Sequence, residues 1–242
     1  MTFLQQQPPS GARNGFRVLI FDWDGTLIDS IASIVDCTLA TVREMGLGEP
    51  TTRGIRDAIG LGLRESLEKL APGCNEEFLE EFTSVYRRHW LATYGRRAEL
   101  VPGARTTLEE LGADGYLLAV ATAKSRLGLR RDTERLGVTE LFCTTRTISE
   151  APSKPHPKMI LDIVEALEVD PDQTLMIGDT THDLEMARNA GVAALGVCSG
   201  SQPRGRLERA TPLGCLDSVA ELPAWLERRS SGSRPQRSEE RP

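Results

Sequence analysis

Apolar positions along the chain change period several times, and each change predicts an element. Val18-Leu19-Ile20-Phe21 is a continuous apolar run of strand length, as expected for a strand buried on both faces. It ends in Asp22-Trp23-Asp24-Gly25-Thr26, where the glycine lets the backbone turn tightly. Ile31, Ile34, Val35, Leu39 and Val42 then recur at three- and four-residue spacing and predict an amphipathic helix closed by Gly46. Shorter helical patterns cover Ile55 to Ile59 and Leu63 to Leu70, and a longer one runs from Glu76 to about Tyr94. No second strong strand occurs before Tyr116. Residues 31–98 therefore read as a helical insertion, a small bundle that covers the end of the first strand.

From Val101 onward helices alternate with short apolar strands. Strands are predicted at Leu117 to Ala121, weakly at Phe142 to Thr145, at Leu175 to Ile177 and at Ala194 to Val197. Helices are predicted at Ser125 to Leu136, stopped by Gly137, and at Pro157 to Leu167, where Met159, Ile160, Ile163, Val164 and Leu167 share one face. This alternation implies an α/β fold, a doubly wound parallel sheet with helices on both faces. The core domain is expected over residues 15–30 and 99–228, with a flexible tail at 1–14. Residues 229–242 lack apolar side chains and are expected to be disordered.

The 242 residues, 39% of them hydrophobic, suit one core domain with a modest insertion. A net charge of −6 argues against general affinity for nucleic acid. The basic pairs Arg87-Arg88, Arg96-Arg97 and Arg130-Arg131 fall on predicted helices or helix ends, as solvated faces do. The five cysteines are far apart, without the spacing of a zinc ribbon or redox dithiol, and suggest a reduced, cytoplasmic compartment. The first residues do not resemble a signal peptide, and no segment is long and apolar enough to span a bilayer.

The polar groups that carry chemistry fall at predicted strand ends, where ligands of such folds gather. Asp22 and Asp24 are two apart and leave the strand on the same side, with Trp23 pointing elsewhere. Two adjacent buried carboxylates call for a cation or a retained proton; the alternative is that they cap the next helix. In Ala121-Thr122-Ala123-Lys124-Ser125 a hydroxyl and a helix N-terminus suit a phosphate oxygen, although Ser125 also reads as an ordinary helix cap. Lys154 lies in Ser153-Lys154-Pro155-His156-Pro157, a stiff segment that either fixes a positive charge at a site or carries an exposed lysine. His156 reads as a helix-start residue. In Ile177-Gly178-Asp179-Thr180-Thr181-His182-Asp183 the two aspartates, four apart, can meet one cation, or Asp183 can cap a helix over Leu184 to Ala190. His182 has only a weak claim to a role in catalysis.

Taken together and in this order, Asp22-x-Asp24-Gly25-Thr26, Thr122, Lys154 and Gly178-Asp179-x-x-x-Asp183 resemble the haloacid dehalogenase superfamily of phosphohydrolases, over roughly Phe16 to Leu226. The insertion is similar to that family's α-helical cap, and the phosphoglycolate phosphatase-like group is the nearest match. Ala123 departs from the glycine or asparagine that many members have there. The resemblance implies a Rossmann-like core and a magnesium-dependent phosphatase of a small phosphorylated metabolite, 2-phosphoglycolate among the candidates, acting as a monomer or homodimer. It implies Asp22 as nucleophile, Asp24 as acid and base, and Mg2+ held by Asp22, Asp179 and the backbone carbonyl of Asp24. Asp183 would join directly or through water. Thr26, Thr122, Ala123 and Lys154 are expected around the phosphoryl group. In Ile59-Gly60-Leu61-Gly62-Leu63-Arg64 of the insertion the glycines permit backbone contact and Arg64 could meet a substrate carboxylate; the alternative is an ordinary helix–helix connection. The same core motifs would serve a phosphomutase, and the fold could also persist as a non-catalytic binding module. A dehalogenase would need neither a metal nor an acid at position 24.

Overall fold

The computed structural model describes residues 14–232. Strand β1 (Val18–Phe21) leads into a short β2 (Ile28–Asp29) and then four helices, α1 (Ile31–Glu44), α2 (Thr52–Ala58), α3 (Leu63–Leu70) and α4 (Glu76–His89). A widened helical turn, Trp90–Tyr94, extends α4 before β3 (Glu99–Leu100). The remainder alternates: α5 (Ala104–Ala113), β4 (Leu117–Thr122), α6 (Arg126–Leu136), β5 (Thr144–Thr147), α7 (Lys158–Ala166), β6 (Thr174–Gly178), α8 (Thr181–Asn189), β7 (Ala193–Val197), α9 (Arg204–Glu208), β8 (Cys215–Leu216) and α10 (Leu222–Gly232).

Six strands form one parallel sheet in the order β5-β4-β1-β6-β7-β8. Strand β1 is central, with Phe21 beside Val120 on one side and Ile177 on the other. The chain winds outward first through β4 and β5, then in the opposite direction through β6, β7 and β8. The reversal leaves a crevice at the carboxyl ends of β1 and β6.

The period of two in β1 supplies both halves of the core. Leu19 and Phe21 pack on one face with Leu108, Leu111, Leu129 and Leu226, while Val18 and Ile20 pack on the other with Met159, Ile163 and Met186. In the helical insertion Val42, Leu67, Leu79 and Phe82 form a separate small core. The antiparallel β2–β3 ribbon joins the insertion to the sheet domain. Two-residue strands carry no readable period, so the ribbon and β8 were invisible to pattern analysis.

The expected disorder from residue 229 does not hold over the described chain. Helix α10 continues to Gly232 because Leu222 and Leu226 bury their side chains and the Arg229 guanidinium lies over the rings of Phe16 and Trp225. The predicted tails at 1–13 and 233–242 lie outside the described residues. No helix among the described residues is long and apolar enough to cross a membrane.

Candidate active site

Asp22 is the first residue beyond β1, and its backbone N–H donates to the Ile177 carbonyl of β6 at 2.9 Å. Asp179 is the first residue beyond β6, so the β1–β6 register brings the two carboxylates to the same end of the sheet. Asp183, in the first turn of α8, completes a cluster in which one oxygen from each carboxylate lies within 4.8 Å of the other two. All three side chains are buried. Lys154 is buried with them, its Nζ donating to Asp22 Oδ1 at 2.5 Å and to Asp183 Oδ1 at 2.7 Å.

Asp183 has its other oxygen in the helix start. Thr180 is the N-cap of α8, and Asp183 Oδ2 accepts from the Thr180 N–H at 3.1 Å and hydroxyl at 2.7 Å in a reciprocal capping box. Asp183 thus anchors Lys154 and α8 together. Thr26, expected near the phosphoryl group, is fully buried and donates to Asp179 Oδ1 at 3.2 Å. Asp179 Oδ2 accepts from the Ser201 N–H at 2.7 Å and hydroxyl at 3.0 Å. A Cβ at Gly25 or Gly200 would collide with this carboxylate, which explains the two glycines.

Burial raises the Asp22 carboxyl well above its ordinary value, against the lowering charge of Lys154 and with the charges of Asp183 and Asp179 adding to the rise. Burial and the charge of Asp183 push Asp179 up to about 6, despite the hydrogen bonds from Ser201. For Lys154 the cost of burial is outweighed by Asp183 and Asp22, which hold its ammonium protonated. Three buried carboxylates against one lysine leave negative charge in excess. A hard divalent cation with oxygen ligands, such as Mg2+, fits this donor set.

The imbalance predicts a measurable strain. Asp179 has a folded value of about 6 against an ordinary 3.8, so its favourable contribution holds at low pH and is lost as pH rises through about 6. At neutral pH the cost of the charged form is on the order of 3 kcal/mol. Asp179→Asn, which can still accept from Ser201, is expected to raise the melting temperature in chelator at pH 7.5 by roughly 6–12 °C. A lower melting temperature than the parent in a thermal scan would refute the charge imbalance.

Asp24 lies beside this cluster and faces a cavity. Its Oδ1 accepts from the Ser30 hydroxyl at 2.8 Å and from Lys124 Nζ at 3.1 Å. Lys124 also pairs with Asp132 at 3.2 Å, and Asp132 accepts from the Trp23 indole N–H at 3.3 Å. Asp24 and Asp132 outweigh burial and keep Lys124 charged. Trp23 therefore does point away from the two aspartates, into the core, but supports Asp24 from behind. Thr122 ends β4 next to β1 and its hydroxyl accepts from the Lys124 N–H at 3.1 Å. Ala123 lines the cavity, and Ser125 caps α6 by accepting from the Gly128 N–H at 3.2 Å.

The insertion is seated on the sheet domain over this site. The Gly62 N–H donates to Ser153 Oγ at 2.8 Å, Arg56 donates to the Gly200 carbonyl at 3.2 Å, and Asp57 pairs with Arg206. Gly60, at φ 93°, leaves no room for a side chain against Thr180. Between the two parts lies a cavity of about 670 Å³ that reaches Asp22 and Asp24. Ile59, Gly60, Leu61 and Leu63 line it. Arg64 is not brought to it: its guanidinium is exposed and pairs with Glu76 at 2.5 Å. Leu63, Ser66 and Leu70 occupy the inward face of α3, which turns Arg64 outward. His156 is exposed and accepts from the Lys158 N–H near the start of α7. His182 is partly buried, and burial lowers its pKa.

Ser30, Lys124, Asp132 and Ser201 were not assigned roles from sequence. Lys124 stood within a quoted motif, but its partners at positions 24 and 132 come from separate elements.

The family model of haloacid dehalogenase-like hydrolases matches residues 19–197. The chain is 34% identical to the probable phosphatase IndB of Dickeya dadantii over 211 residues, which cover 85% of this chain and 91% of that protein. It is also 34% identical to a phosphoglycolate phosphatase of Aquifex aeolicus over 178 residues, 72% of this chain and 81% of the other. Among solved structures, a hydrolase of the haloacid dehalogenase-like family from Streptococcus pneumoniae superposes with a TM-score of 0.76 at 26% identity, over 87% of this chain and 98% of that one. On the match over most of its length, and on the strand-end aspartates that the fold brings together, the chain belongs to the haloacid dehalogenase-like hydrolase family.

Proposed function

We propose that the protein is a magnesium-dependent phosphatase that hydrolyses a small-molecule phosphate monoester through an aspartyl-phosphate on Asp22. The observation that carries this reading is the buried Asp22–Lys154 pair at 2.5 Å, at a strand end that opens on a cavity. A carboxylate fixed in direction by a lysine is a nucleophile suited to phosphorus. One Asp22 oxygen forms a bond to phosphorus as the ester P–O bond breaks, and the leaving oxygen takes a proton from Asp24. Asp24 then takes a proton from water, whose oxygen attacks the aspartyl-phosphate, releases inorganic phosphate and restores Asp22. Ser30 and Lys124 hold the Asp24 carboxyl group in direction, as the carboxylic acid for the first transfer and as the carboxylate for the second. Thr122 and Lys154 supply donors to the phosphoryl oxygens at positions around Asp22.

Asp22, Asp179 and the backbone carbonyl of Asp24 are the groups for Mg2+, with Asp183 acting chiefly through Lys154. When bound, the ion would neutralise charge on the phosphoryl group and on these carboxylates.

The test measures phosphate release from a panel of phosphomonoesters with Mg2+ and in chelator, together with acid-quenched peptide mapping. Magnesium-dependent release with a phosphoryl adduct on the Asp22 peptide is expected. Isomer formation without phosphate release would identify a phosphomutase and overturn the reading, as would turnover without an Asp22 adduct.

A further inference from the structure

We propose that the substrate's leaving group carries a planar, largely apolar ring that lies against Tyr86 and Trp90 of the insertion. This rests on the phosphatase reading above, because it uses Asp24 to fix the direction in which the leaving group departs. The leaving oxygen must be within reach of Asp24, and Asp24 is held by Lys124, whose Nζ lies 4.9 Å from the Trp90 ring centre. Trp90 begins a row of rings. It stacks on Tyr86 with centres 6.1 Å apart and planes within 9°, and Tyr86 stacks on Phe82 at 6.4 Å and 18°. The spacing of four residues puts these side chains on one face of α4 and its extension, and all three line the cavity. The wall next to the departing group is therefore aromatic.

The rest of the cavity supports the same chemistry. Ile34, Ile55 and Leu127 add apolar surface, and two of the hydroxyls on the insertion side of the cavity are spent on backbone carbonyls. Thr38 donates to the Ile34 carbonyl at 2.8 Å and Ser66 to the Ala58 carbonyl at 3.0 Å. A sugar with several free hydroxyls would find few partners there. The two cations deepest in the cavity are engaged, Lys124 by Asp24 and Asp132 and Arg126 by Glu150, while Arg87 and Arg131 line its exposed rim, so phosphoglycolate belongs among the test substrates. The volume of about 670 Å³ belongs to an insertion already seated on the sheet domain by Arg56, Asp57 and Gly62. Cavities of this size hold ring-bearing molecules with most of their surface buried. Leu91 and Leu127 line it from opposite domains at 47% and 56% exposure, surface that such a group would cover.

The experiment compares ethyl phosphate with 2-phenylethyl phosphate, both esters of primary alcohols, beside phosphoglycolate and ribose 5-phosphate. In Mg2+ the full chain is expected to favour 2-phenylethyl over ethyl phosphate by at least about tenfold in kcat/KM. In Trp90→Ala that ratio is expected to fall below about threefold, and in Trp90→Phe to return. Leu127→Asn, at an exposed position, tests the wall from the sheet domain without disturbing folding and is expected to reduce the ratio as well. A ratio near unity in the parent protein, or one unchanged in both Trp90→Ala and Leu127→Asn, would overturn the ring assignment. So would faster turnover of phosphoglycolate or ribose 5-phosphate than of 2-phenylethyl phosphate; in each case the phosphatase reading would stand. No phosphate release from any of the four would overturn that reading and this inference together.

Discussion

Replacing Asp22 with asparagine is expected to lower kcat by at least about 10⁴-fold while leaving the protein folded. The amide has nearly the size and shape of the carboxylate, so the end of β1 keeps its packing, but its oxygen lacks the charge and nucleophilicity to displace an ester oxygen. Loss of the nucleophile cannot be shared out among Thr122, Lys154 and Asp24, because all three act on a bond that Asp22 has to form. Stability should move the other way. The Asp22 carboxyl is held well above its ordinary value by burial, in spite of Lys154, and the charges of Asp183 and Asp179 add to the rise. A group with a raised folded value stabilises the native state below its unfolded value and loses that contribution as pH rises through the folded one. Near neutral pH the charged form is therefore disfavoured by folding, and a neutral amide relieves it. Steady-state turnover and a thermal scan of Asp22→Asn, both in Mg2+-free and Mg2+-containing buffer, give the two readings. An active variant would place the nucleophile elsewhere. An inactive variant that melts well below the parent would mean that Asp22 is first a structural anchor.

The strand-end aspartates were legible because the sequence carries two independent signals for each, an apolar run of strand length and then an acidic residue at a turn. Asp22 and Asp179 meet because β1 and β6 are neighbours, and alternation of helix and strand already implied a sheet whose carboxyl ends share one side. The support around Asp24 was not legible. Ser30, Lys124, Asp132 and Trp23 are brought together from the start of α1, the turn after β4, the middle of α6 and the turn after β1, and no local pattern marks a lysine that points inward. Arg64 is the reverse case. The glycines before it do mark the contact with the sheet domain at Ser153 and Thr180, yet the helical period turns Arg64 outward to Glu76. The row Phe82, Tyr86, Trp90 was visible as a helical repeat but indistinguishable from core packing, since only the placement of the insertion over Asp24 gives it a cavity to face.

Lys154→Met is expected to cost about 3–5 kcal/mol of stability in chelator and to reduce kcat/KM by at least about 10³-fold. Methionine preserves an aliphatic stem, so the change is mainly one of charge. The lysine side chain is fully buried, with Asp22 Oδ1 at 2.5 Å and Asp183 Oδ1 at 2.7 Å, and its removal leaves both of the carboxylates that it contacts without a counter-charge, with Asp179 beside them. Breaking one partner of a buried pair is far more damaging than replacing the whole pair by neutral groups. A fall in melting temperature of roughly 10 °C corresponds to that cost in a chain of this length. Adding Asp183→Asn to Lys154→Met separates the architecture from the chemistry. The second change removes one of the two uncompensated charges while an amide oxygen can still accept from Thr180, so stability should recover by at least about half. Activity should not recover, because the positive charge beside the nucleophile and the phosphoryl oxygens is still missing. If Lys154→Met melts with the parent protein, the carboxylates must hold a proton between them and the ion pair contributes little to the fold. If the double variant melts lower still, Asp183 matters more to the capping box of α8 than to Lys154, and the anchoring of the lysine must be sought in the Ser153–Pro155 segment instead.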